Sequence, residues 1–310
     1  MLKTQLQRVY NRTLKEISKV KFLERYSDAA YQAQLKHFAD QLPPVDPIDR
    51  PIVEALDRDG IFVTTLAELK IPLTSQVLNG IDQLIPELAA TSTVHKRHRG
   101  EFLIKASRCQ LLRYPELFLW GLEERLLNVV ENYLGLPAAY HGVYLRRDLA
   151  NGVIRRTRFW HLDKEDRRMV KIIVYLNDVN EEGGPFQYIS NHLTPTIIKE
   201  LSYDYNRVTN SMMEGAVPSS EWLSCIGPTG TVIFVDPAKV FHRGQAPIAS
   251  DRFTLFFDYT SRKPKRSYYC KSSVGVSDLI DFAKRLSRRQ IDCVFWNKKL
   301  ASIYRRSHSK

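Results

Sequence analysis

His161-Leu162-Asp163 places an imidazole and a carboxylate two residues apart, at the end of a run, 153–161, that reads as a β-strand. Alternate side chains of an extended chain share a face, so His161 and Asp163 can converge on one metal ion. So short a motif says little until a third ligand joins it. His242, in Val240-Phe241-His242-Arg243-Gly244, is that candidate, because an antiparallel barrel with one long insertion can return the chain beside its earlier strand. Two imidazoles and one carboxylate leave about three coordination positions open, the arrangement of non-haem Fe(II) enzymes that bind a cosubstrate and dioxygen together. Arg252 follows His242 by ten residues and opens the run Phe253 to Tyr259. Its guanidinium offers a fixed fork of donors, suited to clamping the distal carboxylate of a keto acid.

These residues need strands to hold them. After Pro137 the chain breaks into short runs rich in Val, Ile, Tyr, Phe and Thr, separated by Asn151-Gly152, Gly183-Gly184-Pro185, Gly227-Pro228-Thr229-Gly230 and Asp236-Pro237. The expected strands are Tyr140 to Arg146, Val153 to His161, Val170 to Leu176, Phe186 to Ile189, Thr231 to Val235 and Phe253 to Tyr259. No helical pattern alternates with them, which argues against parallel βαβ units and for an antiparallel barrel or sandwich behind a helical layer. Before them, 1–58 reads as a helical lead-in broken at Leu42-Pro43-Pro44. Asp59-Gly60 turns into a short strand, Ser75 to Leu88 reads as a helix, and apolar spacing from Glu116 to Tyr133 reads as one amphipathic helix. Residues 191–226 are a long insertion of the kind that forms lids.

Read together, these pieces resemble the Fe(II)/2-oxoglutarate dioxygenases of the phytanoyl-CoA dioxygenase type. The matching segments are Asp59-Gly60-Ile61-Phe62-Val63, Glu131-Asn132-Tyr133-Leu134-Gly135, His161-Leu162-Asp163, Val174-Tyr175-Leu176-Asn177-Asp178, Gly183-Gly184-Pro185-Phe186, Ser190-Asn191-His192, Gly230 to Phe234, His242 and Arg252, in family order over about residues 57–260. The resemblance implies an α+β, mainly β chain: a double-stranded β-helix (jelly roll, cupin-like) over 59–260, covered by N-terminal and C-terminal helices. It implies Fe(II) held by His161, Asp163 and His242, and 2-oxoglutarate anchored by Arg252. Two departures stand out. Ile189-Ser190-Asn191-His192 replaces the usual Gly-Ser-His turn, and Gly244 stands where the family has a polar residue. Lys105 and Thr254 are the candidates to complete the 2-oxoglutarate contacts. The implied activity is hydroxylation of an unactivated C–H, and the retained Asp163 argues against halogenation.

The composition, 44% hydrophobic and 26% charged, is that of a globular protein and excludes a disordered chain. Net charge is +12, and residues 261–310 hold fourteen Lys or Arg against three acidic residues, so this basic helical extension carries nearly all of it. Lys284, Arg285, Arg288 and Arg289 recur at helical spacing, which predicts one basic face, an anionic substrate and contact with an acidic membrane surface. No nucleic-acid module is recognisable. Met1 to Lys15 lacks the pattern of a secretory signal, and the four cysteines form no C-x-x-C pair, so reduced thiols and a cytoplasmic setting are expected. Two rival readings are a metal-dependent hydrolase or isomerase, which would not need Arg252, and a non-catalytic basic binding protein, which would bind without turnover.

Overall fold

Val170–Tyr175 and Thr231–Val235 are apolar at nearly every position, and the computed structural model shows why: both faces of each strand are buried. Ile172, Val174, Val232 and Phe234 enter a core shared with the helices. Ile173, Tyr175, Ile233 and Val235 enter a second core inside the barrel. The structure describes residues 21–91 and 101–307, so the reading made on Met1 to Lys15 lies outside the described residues.

The described strands are β1 (Ile61–Thr65), β2 (Leu103–Lys105), β3 (Ala138–Asp148), β4 (Val170–Tyr175), β5 (Phe186–Ile189), β6 (Trp222–Cys225), β7 (Thr231–Val235), β8 (His242–Gly244) and β9 (Arg252–Ser261). They form a six-stranded sheet, β1-β7-β4-β9-β3-β2, and a three-stranded sheet, β6-β5-β8. Every pairing is antiparallel. Phe186 and Cys225 of the smaller sheet pack on Ile173 and Ile233 of the larger, which closes the double-stranded β-helix. A third cluster, around Trp160, Ile197, Met213 and Phe241, anchors the 191–226 insertion to the barrel end that carries His161.

Helices cover the outer face of the six-stranded sheet. Tyr31, Ile52 and Leu56 from the N-terminal segment, Leu126 and Val130 from the central helix, and Leu279, Phe282 and Cys293 from the C-terminal segment share one core with the sheet. Among the described residues no helix is long and apolar enough to cross a membrane.

Three local expectations are corrected. Residues 153–161 are not a strand: Arg158 is buried and donates to the carbonyls of Val153, Leu149 and Phe102, which gathers the segment into a 3-10 turn at Arg156–Arg158. The helix expected over 116–133 is two, Glu116–Trp120 and Glu124–Leu134. Gly121 separates them because Tyr259 donates to its carbonyl at 2.6 Å, and a Cβ there would lie 2.5 Å from the Tyr140 hydroxyl.

The basic C-terminal face is also divided. Ser287 caps a new helix, Arg288–Val294, after Val276–Ala283 has ended, so Lys284 and Arg285 lie outside both helices. Most of these charges are paired within the chain: Arg285 with Glu116, Lys284 with Asp281, and Arg289 with Glu124 and Glu131. Leu286 and Ile291 pack on the core beside Phe282.

Candidate metal centre

His242 stands first in β8, whose ladder to β5 sets it opposite Tyr188. His161 forms an isolated antiparallel bridge with it, each backbone N–H donating to the other's carbonyl at 3.1 Å. This pairing brings the two imidazoles side by side, ring centroids 4.3 Å apart. The two rings are oriented alike. His161 Nδ1 lies 2.8 Å from the Phe159 carbonyl, and His242 Nδ1 lies 3.0 Å from the Val240 carbonyl. A ring nitrogen facing a carbonyl must carry the proton, so Nδ1 donates and each Nε2 keeps a free lone pair.

Asp163 is fixed by its backbone N–H, which donates to the Pro237 carbonyl at 2.8 Å. Its Oδ1 sits 3.7 Å from His161 Nε2, and ligand atoms of His161, Asp163 and His242 all lie within 4.8 Å of one another. Burial lowers the pKa of both histidines, that of His242 to about 3. For Asp163, burial opposes ionisation, but Lys171, His242 and His161 outweigh it and hold the carboxyl well below its usual range. At neutral pH the set is therefore two neutral imidazoles and a carboxylate, the protonation states a divalent metal requires.

Lys171 was not anticipated. It is the single charge in Val-Lys-Ile-Ile-Val-Tyr, on the inward face with Ile173 and Tyr175, and its ammonium donates to Asp163 Oδ2. The signal was legible as a lysine at an inward position of a strand buried on both faces.

A cavity opens from the two histidines into the barrel, lined by His161, His242, Arg252, Thr254, Arg146 and Lys171 among others. Arg252 is 2% exposed, with Nη2 at 3.2 Å from Asp148 Oδ2. Arg146 Nε is 3.1 Å from the same oxygen. The two guanidiniums thus share one carboxylate and leave a net positive charge facing the cavity. Arg252 Nε and Nη1 and Thr254 Oγ1 are buried without a hydrogen-bond partner, a state that a bound polar group would relieve. Gly244 explains the departure noted in the sequence: a Cβ there would lie 2.9 Å from Arg252 Nη2, so the missing side chain makes room for the guanidinium. Lys105 does not line this cavity; it ends β2 opposite Arg146 and lies over the Tyr144 ring at 4.9 Å.

No family model and no curated protein matches the chain. Among solved structures it is similar to HygX from Streptomyces hygroscopicus with nickel and 2-oxoglutarate bound, at 16% identity and TM-score 0.48 over 70% of this chain and 88% of that one. It is similar to EctD from S. alaskensis, at 16% identity and TM-score 0.47 over 71% of this chain and 80% of that one. It is also similar to the epimerase SnoN in complex with Fe3+, alpha ketoglutarate and nogalamycin RO, at 15% identity and TM-score 0.49 over 71% and 88%.

Proposed function

We propose that this chain is an Fe(II)- and 2-oxoglutarate-dependent oxygenase that hydroxylates a C–H bond of a small molecule. The observation that carries this reading is the pairing, across one cavity, of an open His161–Asp163–His242 face with an under-neutralised buried arginine cluster. The donor set fits Fe(II), and the orphaned donors of Arg252 and Thr254 fit a carboxylate. When bound, Fe(II) with 2-oxoglutarate supplies the oxidising chemistry: dioxygen is consumed, the keto acid becomes succinate and carbon dioxide, and one oxygen atom enters the substrate.

The protein's residues supply holding and exclusion. The Nδ1 hydrogen bonds to Phe159 and Val240 prevent rotation of the two imidazoles. Lys171 occupies Asp163 Oδ2, which leaves Oδ1 to face the metal. Arg252 and Thr254 hold the distal carboxylate of the keto acid, while Ile173, Phe186 and Phe256 line the same cavity with apolar surface and limit water. A zinc hydrolase built on the same triad would have no use for the Arg252 cluster.

Succinate release with Fe(II), ascorbate and 2-oxoglutarate over a metabolite panel tests the reading. Arg252→Lys, which loses the bidentate fork, should raise the 2-oxoglutarate KM at least tenfold with metal content unchanged. An unchanged KM would place the anchor elsewhere, and Zn(II)-supported turnover without 2-oxoglutarate would favour the hydrolase.

A further inference from the structure

A second cavity lies on the other side of Lys171 from the first. The inward-facing residues of β9 run Arg252, Thr254, Phe256, Asp258, Thr260, one every second position. The first three line the anchor cavity and the last two line the second. At about 3.4 Å per residue, Asp258 lies roughly 20 Å along the strand from Arg252. Segment 262–275 crosses this end of the barrel, bringing Tyr269 and Cys270 over the cavity and Ser273 against Gly142.

The chemistry of this cavity differs from that around Arg252. By register Asp258 faces Lys171 on β4 and Gly142 on β3. Lys171 turns to Asp163 instead and Gly142 has no side chain, so Asp258 Oδ1 is buried without a hydrogen-bond partner. Glu165, from the loop that follows Asp163, adds a second carboxylate to the same wall.

His141 adds a third acceptor, and its tautomer follows from the hydrogen bonds. The Thr260 hydroxyl donates to the Ser261 carbonyl, so Thr260 Oγ1 must accept from His141 Nε2 at 2.8 Å. The proton is then on Nε2, and Nδ1 presents a lone pair. His141 is 5% exposed, and its Nδ1 is buried with no partner. Of the lysines on this cavity, Lys171 is paired with Asp163 in the metal-free protein and Lys271 stands at the exposed rim.

Asp258 Oδ1 and His141 Nδ1 are buried acceptors without a partner, and Asp258 and Glu165 make the wall they share anionic, the setting a cationic group requires. We propose that this cavity is the substrate pocket and that it takes a small molecule carrying a protonated primary amine, held by Asp258, with Glu165 and His141 on the surrounding wall. The proposal rests on the oxygenase reading for what is done to that molecule, but not for its binding. It replaces the anionic substrate expected from the C-terminal charges, of which Lys284, Arg285, Arg288 and Arg289 are paired within the chain. A primary ammonium fits better than a neutral hydroxyl because hydrogen bonds between charged partners are about twice as strong.

The test compares 1,5-diaminopentane, 1,5-pentanediol and pentanoate, matched in length, by ligand-observed NMR titration of the full chain. We expect saturable binding of the diamine alone, weakened at least tenfold by Asp258→Asn. Glu165→Gln serves as the second variant, with the same expected direction, should Asp258→Asn fail to fold. Pentanoate binding as tightly as the diamine, or diamine binding unaltered in whichever of these variants fold, would overturn the assignment. Titration of 2-oxoglutarate into the unaltered, metal-loaded protein runs in parallel. Its failure to bind would sink the oxygenase reading without moving the amine result.

Discussion

Lys171→Met removes the ammonium that neutralises Asp163 in the metal-free protein. The two side chains are 22% and 12% exposed, so the pair is mostly buried. Breaking a buried pair by deleting one partner costs roughly 3–5 kcal/mol, because the remaining charge is left uncompensated. Residual water access places this case at the lower end, about 3 kcal/mol. At about 2 °C per kcal/mol or somewhat more for a large domain, the metal-free variant should melt about 6 °C below the parent. With Fe(II) bound the metal compensates Asp163 itself, and the loss should fall below about 1 kcal/mol. The thermodynamic cycle then requires the variant to bind metal more tightly by about 2 kcal/mol, roughly 30-fold. Differential scanning fluorimetry with and without anaerobic Fe(II), together with metal titration calorimetry, reads both quantities. An equal loss with and without metal, or weaker metal binding by the variant, would refute the assignment of Lys171 to Asp163.

Arg289→Glu should destabilise the chain by about 2 kcal/mol, because it leaves Glu131, 6% exposed, without its partner. Arg288→Glu, at a side chain 82% exposed, should stay within about 0.5 kcal/mol by thermal denaturation. In the metal-free protein burial lowers the His141 pKa from 6.5 to about 4, so the unfolded chain binds a proton that the folded chain refuses. The stability involved is intact above pH 6.5 and is lost as pH falls toward 4. His141→Gln should therefore flatten the acid limb of unfolding free energy against pH, read from urea denaturation, by up to about 1.4 kcal/mol per pH unit, and parallel limbs would contradict this.

The strands that carry the site were legible because both faces of Val170–Tyr175 and Thr231–Val235 are buried, which writes a continuous apolar run into the sequence. His161 and Asp163 sit together because two-residue spacing survives even where regular strand structure does not. What stayed hidden depends on side chains reaching backbone far away in sequence. Arg158 folds the 153–161 segment by bonding to Phe102 and Leu149, and no periodicity announces such a contact. The helix break at Gly121 likewise depends on tyrosines of β3 and β9. The break before Ser287 was local, a Ser–Gln capping box inside what reads as one basic run. Lys105 sits well upstream of His161, as the family pattern asks, but pairing of β2 with β3 lays it over Tyr144, outside the cavity beside the triad.

The last strand in sequence, β9, occupies the middle of the larger sheet, laddered to β3 along nearly its whole length and to β4 on its other side. Before it is synthesised, β1-β7-β4 and β3-β2 have no strand between them. A growing chain therefore emerges with two unpaired edges that persist until residues 252–261 arrive, and it depends on that arrival to avoid pairing with other chains. His161, Asp163 and His242 all precede β9 in translation, whereas Arg252 is its first residue. Because such long-range pairing is slow, the cavity that Arg252 lines is complete only after β9 has joined the sheet.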